Sequence, residues 1–259
     1  MRYCIDLDSQ TIHCQKDEEE KIYPLFSAEA FEHLSNLWLK IGWNLRYHYT
    51  FSWMGRPILQ LPEDLIRLQE VIFAIKPSII IETGVAMGGS MLFYATLLKT
   101  LGHGKVIGVE IDFHSNHREA LENHPLSQWI QVVSGNSIAQ ETFEKVRNEI
   151  SPEDKVLVIL DSNHSKDHVL QELEVYAPLV TPDSFLIVAD GFKEQLSCVP
   201  RGKPFWAWDH PSAAVQEFLK EHSEFVLDVP ERFFNRSKIR QNVTHFQNGW
   251  LRKISAAPV

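Results

Sequence analysis

Cysteine is scarce in this sequence. Three residues in 259 (Cys4, Cys14 and Cys198) form an odd, unpatterned set, which argues against a disulfide framework. Long apolar runs are missing as well, and none reaches the roughly 18 residues a membrane-crossing helix needs. There is no dense basic tract: 25 Lys and Arg stand against 34 Asp and Glu, a formal net charge of −9. A chain this acidic is a poor ligand for a phosphate backbone, so nucleic acid is not an expected partner. The first twenty residues are too polar and acidic for a secretory leader, and a cytoplasmic location is expected. Neither Gly-x-Gly-x-x-Gly nor Gly-x-x-x-x-Gly-Lys-[Ser/Thr] occurs, so the two common phosphate-cradling loops are absent. Repeats, low-complexity tracts and Gly/Ser linkers are lacking too.

What is present suffices for a sizeable core: 44% of the residues are hydrophobic, 11% aromatic and 23% charged, a composition that rules out disorder over most of the chain. The length suits one large domain or two small ones. The acidic run Asp17 to Glu20 reads as a solvated segment. From Ala28 to about Trp43, Phe31, Leu34, Leu37, Trp38 and Ile41 recur at helical spacing. An aromatic stretch, Trp43 to Trp53, follows. Pro62 then opens a second helical pattern that ends before Pro77.

Beyond Pro77, strands and helices alternate. Strands are expected at Ser78–Glu82, Lys105–Glu110, Trp129–Val133, Lys155–Asp161 and Ser184–Asp190. Helices are expected at Met91–Leu101, Ser115–Glu122, Glu141–Ile150, Lys166–Tyr176 and Ala213–Lys220. Late strands are expected at Phe225–Asp228 and Gly249–Ile254. Continuous apolar strands separated by helices imply a parallel sheet covered on both faces. The expected architecture is a doubly wound, Rossmann-like α/β domain over residues 76–259, preceded by a helical, aromatic-rich extension over residues 1–75.

In such sheets ligands bind at the carboxyl ends of the strands, near the point where strand order reverses. The loop after the first strand runs Glu82, Thr83, Gly84, then on to Gly88, Gly89 and Ser90. Its glycines permit a tight turn and close backbone approach. The acidic residue ahead of them would repel a pyrophosphate but suits a cation such as the sulfonium and ammonium of S-adenosylmethionine. A plain strand-to-helix turn would use the same glycines. Glu110 ends the second strand, with Asp112 two residues on, and a carboxylate there can accept from two ribose hydroxyls. Gly135, Asn136 and Ser137 follow the third strand, where a short polar loop can meet an adenine edge.

Two further carboxylates end the fourth and fifth strands, Asp161 and Asp190. Side by side they would suit a hard divalent cation such as Mg²⁺, which keeps waters and substrate oxygens in its octahedron. His164, three residues past Asp161, could take a proton from a hydroxyl, since an unperturbed imidazole titrates near neutral pH. Helix capping by Asp161 and a surface role for His164 are the plainer alternative. His117/Glu119 and His222/Glu224 echo part of an iron triad but fall in or beside helices. Trp43, Tyr47, Tyr49, Phe51 and Trp53 suit either an acceptor pocket or a buried interface.

Several strings resemble the cephalosporin hydroxylase family: Pro57 to Asp64, Ile81 to Ser90, Leu160 to His164, then His168-Val, Glu172-Leu and Tyr176 to Val180. The resemblance runs from about Ala28 to Ile254. It implies a class I, S-adenosylmethionine-dependent, Mg²⁺-assisted O-methyltransferase that is oligomeric and acts on antibiotic or sugar (rhamnosyl) hydroxyls. The strand-end pattern is also similar to catechol-type O-methyltransferases. That likeness places Glu82, Gly84, Gly88 and Ser90 in the cofactor loop, Glu110 on the ribose, Asp161 and Asp190 on the metal, and His164 where those enzymes carry a lysine base. Gly191 replaces their second metal-binding amide, and Ala189 stands where some family members carry a further carboxylate. Two protein carboxylates would then hold the metal. The remaining readings are an oxidoreductase, as the family name suggests, and a non-catalytic partner that keeps the fold.

Overall fold

The computed structural model describes residues 1–255. The chain begins with strands, not with the helical extension expected for residues 1–75. β1 (Arg2–Asp6), β2 (Thr11–Lys16) and β3 (Glu19–Pro24) pair as an antiparallel meander. The cause is local. Thr11-Ile-His-Cys alternates, so that Ile12 and Cys14 are buried and pack with Ala30 and Tyr23. Asp6 turns the chain by accepting from the amides of Asp8 (2.9 Å) and Ser9 (3.1 Å). The acidic run at 17–20 is exposed, as expected, and forms the second hairpin turn and the start of β3.

α1 (Ala28–Asn44) starts where Ser27 accepts from the amide of Ala30 at 3.1 Å, an N-cap. A short hairpin, β4 (Phe51–Trp53) with β5 (Arg56–Ile58), carries the aromatic stretch. α2 (Pro62–Ile75) opens on proline, whose missing N–H costs nothing there, and stops at Lys76 in the left-handed conformation.

The central sheet takes β6 (Ile79–Thr83), β7 (Lys105–Glu110), β8 (Ile130–Ser134), β9 (Val156–Leu160), β10 (Phe185–Val188), β11 (Phe225–Leu227) and β12 (Trp250–Lys253). Their order is β8-β7-β6-β9-β10-β12-β11, and only β12 runs against its neighbours. The order reverses between β6 and β9, the switch point of a doubly wound sheet. Because side chains alternate along a strand, Ile80, Leu157 and Ile187 face one side, where α2 and α3 (Gly89–Leu101) cover them with Leu68, Ile72, Leu92 and Leu98. Ile79, Ile81, Val158 and Leu186 face the other, under α6 (Lys166–Tyr176) and α7 (Pro211–Glu221). Two small helices, α4 (Ser115–Glu122) and α5 (Gln140–Arg147), complete the crossovers. Both faces are covered, as the apolar strands require. Leu65, Leu68 and Ile72 of α2 belong to the same core as the strands.

Candidate active site

Register brings the strand ends together. Thr83 lies opposite Leu160, and Leu160 opposite Val188, so the segments leaving β6, β9 and β10 emerge at one edge. The loop after β6 can lie so close to β9 only because residue 84 is glycine. It adopts φ +85°, and a Cβ there would stand 2.2 Å from the carbonyl oxygen of Asp161. Two cavities open on either side of this contact and share Gly84, Ala86, Asp161 and Ser162.

The first cavity, about 320 Å³, has Glu110, Gly135, Asn136, Ser137, Asn163 and His168 on its remaining walls. Glu110 is tied down at both oxygens. One accepts from the amides of Val85 (3.0 Å) and Ala86 (2.9 Å), the other from Ile111 (3.0 Å) and Asp112 (3.4 Å). Each carboxylate oxygen has two lone pairs, so these four amides use the full complement, and a hydroxyl in the cavity would have to share or replace the long Asp112 contact. Gly135 is also obligatory, since a Cβ would meet Thr142 Oγ1 at 2.2 Å.

The second cavity, about 220 Å³, is walled by Ser90, His48, Gln60, Asp161, His164, Asp190 and His245, with Pro57, Ile58 and Phe246 as its apolar side. Gln60 Nε2 donates to Asp161 Oδ2 at 3.4 Å. His164 Nε2 lies 3.4 Å from Asp190 Oδ2, and His245 Nδ1 lies 4.0 Å from Asp190 Oδ1. The two carboxyls part company electrostatically. Burial, then the facing Asp190 and Glu82, pushes Asp161 well above the ordinary carboxylate range. Burial acts on Asp190 in the same direction, but His164, His245, His48 and Lys193 outweigh it and hold it below that range. Burial drives the His48 imidazole down to about 4 and lowers that of His245, so both are neutral at pH 7. His245 is placed by a buried clasp. Asp64 at the start of α2 accepts from the amide of His245 at 2.9 Å and from the Thr244 hydroxyl.

Of the residues singled out from the sequence, Gly84, Glu110, Gly135, Asn136, Ser137 and Asp161 share the first cavity, and Gly84, Gly89, Ser90, Asp161, His164 and Asp190 the second. Glu82, Gly88 and Asp112 line neither. Glu82 is wholly buried beneath the loop, accepting from Ser90 Oγ at 2.6 Å, with its carboxyl pushed up to about 8 by burial. Leu121 packs over Gly88, and Asp112 is exposed. His222 is held between Glu174 and Glu224. His48, Gln60, Ser162, His168 and His245 were not expected at the site. His245 lies in an irregular stretch with no periodicity to flag it, whereas Gln60 and His168 sit inside strings already noted.

A model of the family Rhamnosyl O-methyltransferase/CmcI matches residues 45–254. The chain belongs to this family. Its β1–β3 meander and all of α1 precede the matched region. The rhamnosyl O-methyltransferase of Mycobacterium leprae is 33% identical over 153 residues, 59% of this chain and 65% of that protein. The protein of the same description from Mycobacterium tuberculosis is 29% identical over 144 residues, 54% of this chain and 56% of that protein. The match thus spans less than two thirds of the length of these curated relatives. Among solved structures, an apo structure of CmcI superposes with a TM-score of 0.54 at 20% identity. A CmcI structure with Mg and SAM gives 0.53 at 18%. Each alignment covers 80% of this chain and 78% of the other. The shared fold is that of class I O-methyltransferases.

Proposed function

We propose that this protein is an S-adenosylmethionine-dependent O-methyltransferase acting on a hydroxyl of a sugar or natural-product acceptor. The carrying observation is the pair of cavities that meet at Gly84 and Asp161. One has the carboxylate and polar loop that suit a nucleoside. The other has acidic, amide and imidazole groups that suit a hydroxylated acceptor better than a flat aromatic. A methyl donor in the first would face an acceptor oxygen in the second. The oxygen lone pair attacks the methyl carbon, the carbon–sulfur bond breaks, and S-adenosylhomocysteine leaves. His164 takes the hydroxyl proton, and the imidazolium formed is stabilised by Asp190 3.4 Å away.

Asp161 and Asp190 would hold Mg²⁺. The donor set fits in a restricted sense: among the described residues no three His, Cys, Asp or Glu side chains converge on a metal position. Two carboxylates that repel across a polar cavity remain, and Mg²⁺ commonly takes one or two carboxylates plus waters and substrate oxygens. Bound there, the ion would lower the pKa of an acceptor hydroxyl. The mycobacterial relatives named rhamnosyl O-methyltransferases support a sugar acceptor. A homo-oligomer and a reducing, cytoplasmic setting complete the reading; Cys4, Cys14 and Cys198 are all free thiols.

The test is transfer of labelled methyl from S-adenosylmethionine to rhamnosides, macrolide-type glycosides and catechols. The expected outcome is labelled glycoside, inhibited by EDTA and restored by Mg²⁺. Full activity in EDTA would dismiss the metal, and cofactor binding without transfer to any hydroxyl would favour a non-catalytic partner.

A further inference from the structure

The buried face of α6 contains a charge it does not need for covering the sheet. Val169 and Leu173 supply that cover. Beside them, His168, Glu172 and Tyr176 form a polar stripe at i, i+4 and i+8, one above the other on one face. Glu172 and Tyr176 are wholly buried. Taking a carboxylate out of water costs several kcal/mol unless it gains partners, so an ordinary packing helix would carry leucine at 172.

All three side chains point at two loops, both of which line the cavity assigned above to the nucleoside. Glu172 Oε1 accepts from Ser162 Oγ at 2.6 Å, on the loop after β9. Tyr176 donates to the carbonyl of Ser137 at 3.0 Å, on the loop after β8. His168 Nε2 stands between them, 3.2 Å from Ser137 Oγ, 3.4 Å from Ser162 Oγ and 3.6 Å from Glu172 Oε1. His168 itself reaches the cavity wall. The second oxygen of Glu172 has no partner, so the carboxylate is committed to this one network.

We propose that His168, Glu172 and Tyr176 are positioning residues that set the spacing of the Ser137 and Ser162 loops, and that this spacing selects the adenine base of the cofactor. Ser137 is held to α6 through both its hydroxyl and its carbonyl, which fixes the backbone of the loop that lines the cavity. Ser162 is held through its hydroxyl alone, by Glu172 and His168, so the two loops share one anchor. The proposal rests on the cofactor reading above.

The experiment is calorimetry with S-adenosylhomocysteine and with S-inosylhomocysteine, in which a 6-oxo group replaces the 6-amino group. Wild type, Glu172→Gln, His168→Asn and Tyr176→Phe are compared, each with its melting temperature. Glu172→Gln should weaken S-adenosylhomocysteine about tenfold, and Tyr176→Phe about threefold, as expected for loss of one buried hydrogen bond or charge. The inosine analogue should weaken less, narrowing the base preference. The KM for S-adenosylmethionine should rise while kcat stays within about twofold. Unchanged affinity in these variants, or equal loss for both ligands, would overturn the proposal. If Glu172→Gln does not fold, Tyr176→Phe and His168→Asn carry the same test. Wild type that binds neither ligand would instead remove the cofactor reading, and this inference with it.

Discussion

Asp161 faces both cavities, and its carboxyl carries the largest conflict in the site: buried, close to Asp190, and bonded only through a long contact from Gln60. Asp161→Asn should therefore abolish methyl transfer while S-adenosylhomocysteine affinity, read by calorimetry, stays within about threefold, because Glu110 and the Gly135–Ser137 loop form most of the polar wall of the nucleoside cavity that Asp161 also touches. His164→Ala should lower turnover by about 10²–10⁴, the usual contribution of a general base, with acceptor and cofactor saturation still attainable. Glu82 makes a different prediction. Burial holds its carboxyl at about 8 in the fold, against 4.5 for the free group. Between those values the folded state carries a proton that the unfolded state has lost. Its contribution to stability is full below about 4.5 and disappears as pH rises through about 8. The melting temperature of wild type relative to Glu82→Gln should fall steadily from pH 5 to 8. A pH-independent difference would mean that Glu82 is ionised in the fold.

Elements with strong periodicity were readable before any coordinates. Every strand of the parallel sheet and the helices on both faces fall close to their expected positions, because runs such as Val156–Leu160 have no other place than a sheet buried on both sides. The strand ends followed, and with them Glu110, Asp161, His164 and Asp190. What the sequence did not disclose was set by short alternation or by no periodicity. Only Ile12 and Cys14 mark β2 as half-buried, too brief a pattern to outweigh its polar neighbours. His48 and His245 lie in a 3₁₀ turn and an irregular stretch, and reach the cavity through tertiary contacts such as the Asp64 clasp. Glu82 was readable as a strand-end acid but not as one turned beneath its loop. The tightest element-level dependence is the passage of the β6 loop over β9. Gly84→Ala should destabilise the protein by about 3 kcal/mol, adding a left-handed penalty of about 1–2 to an overpacking cost of about 1–3. Denaturant titration measures it, and a variant as stable as wild type would show that the loop can move off Asp161.

At the scale of the molecule, the covered sheet leaves one part of the surface out of keeping with the rest. Phe31, Trp38 and Ile41 recur at helical spacing on α1 and are 37%, 40% and 50% exposed, with Leu45 just past its end at 71% and Phe26 just before its start at 84%. Tyr47 packs edge-on against Trp38, and Phe31 and Trp38 line an open cavity with Ile239 and Val243, but half or more of Ile41 and Leu45 stays exposed. Exposed apolar side chains of this kind on a chain of net charge −9 suit the homo-oligomer proposed with the function. No helix of the described residues is long and apolar enough to cross a membrane. A second copy of the chain is the occupant proposed with the function. Light scattering at tens of micromolar protein, on the order of concentrations where such interfaces persist, should then report at least a dimer. Trp38→Glu together with Leu45→Glu should shift it to monomer, since placing unpaired charge in an apolar contact costs more than the contact returns. Neither substitution touches either cavity, so S-adenosylhomocysteine should bind the monomer as it binds wild type. A wild-type monomer at that concentration would discard the interface and leave the stripe without an assigned role.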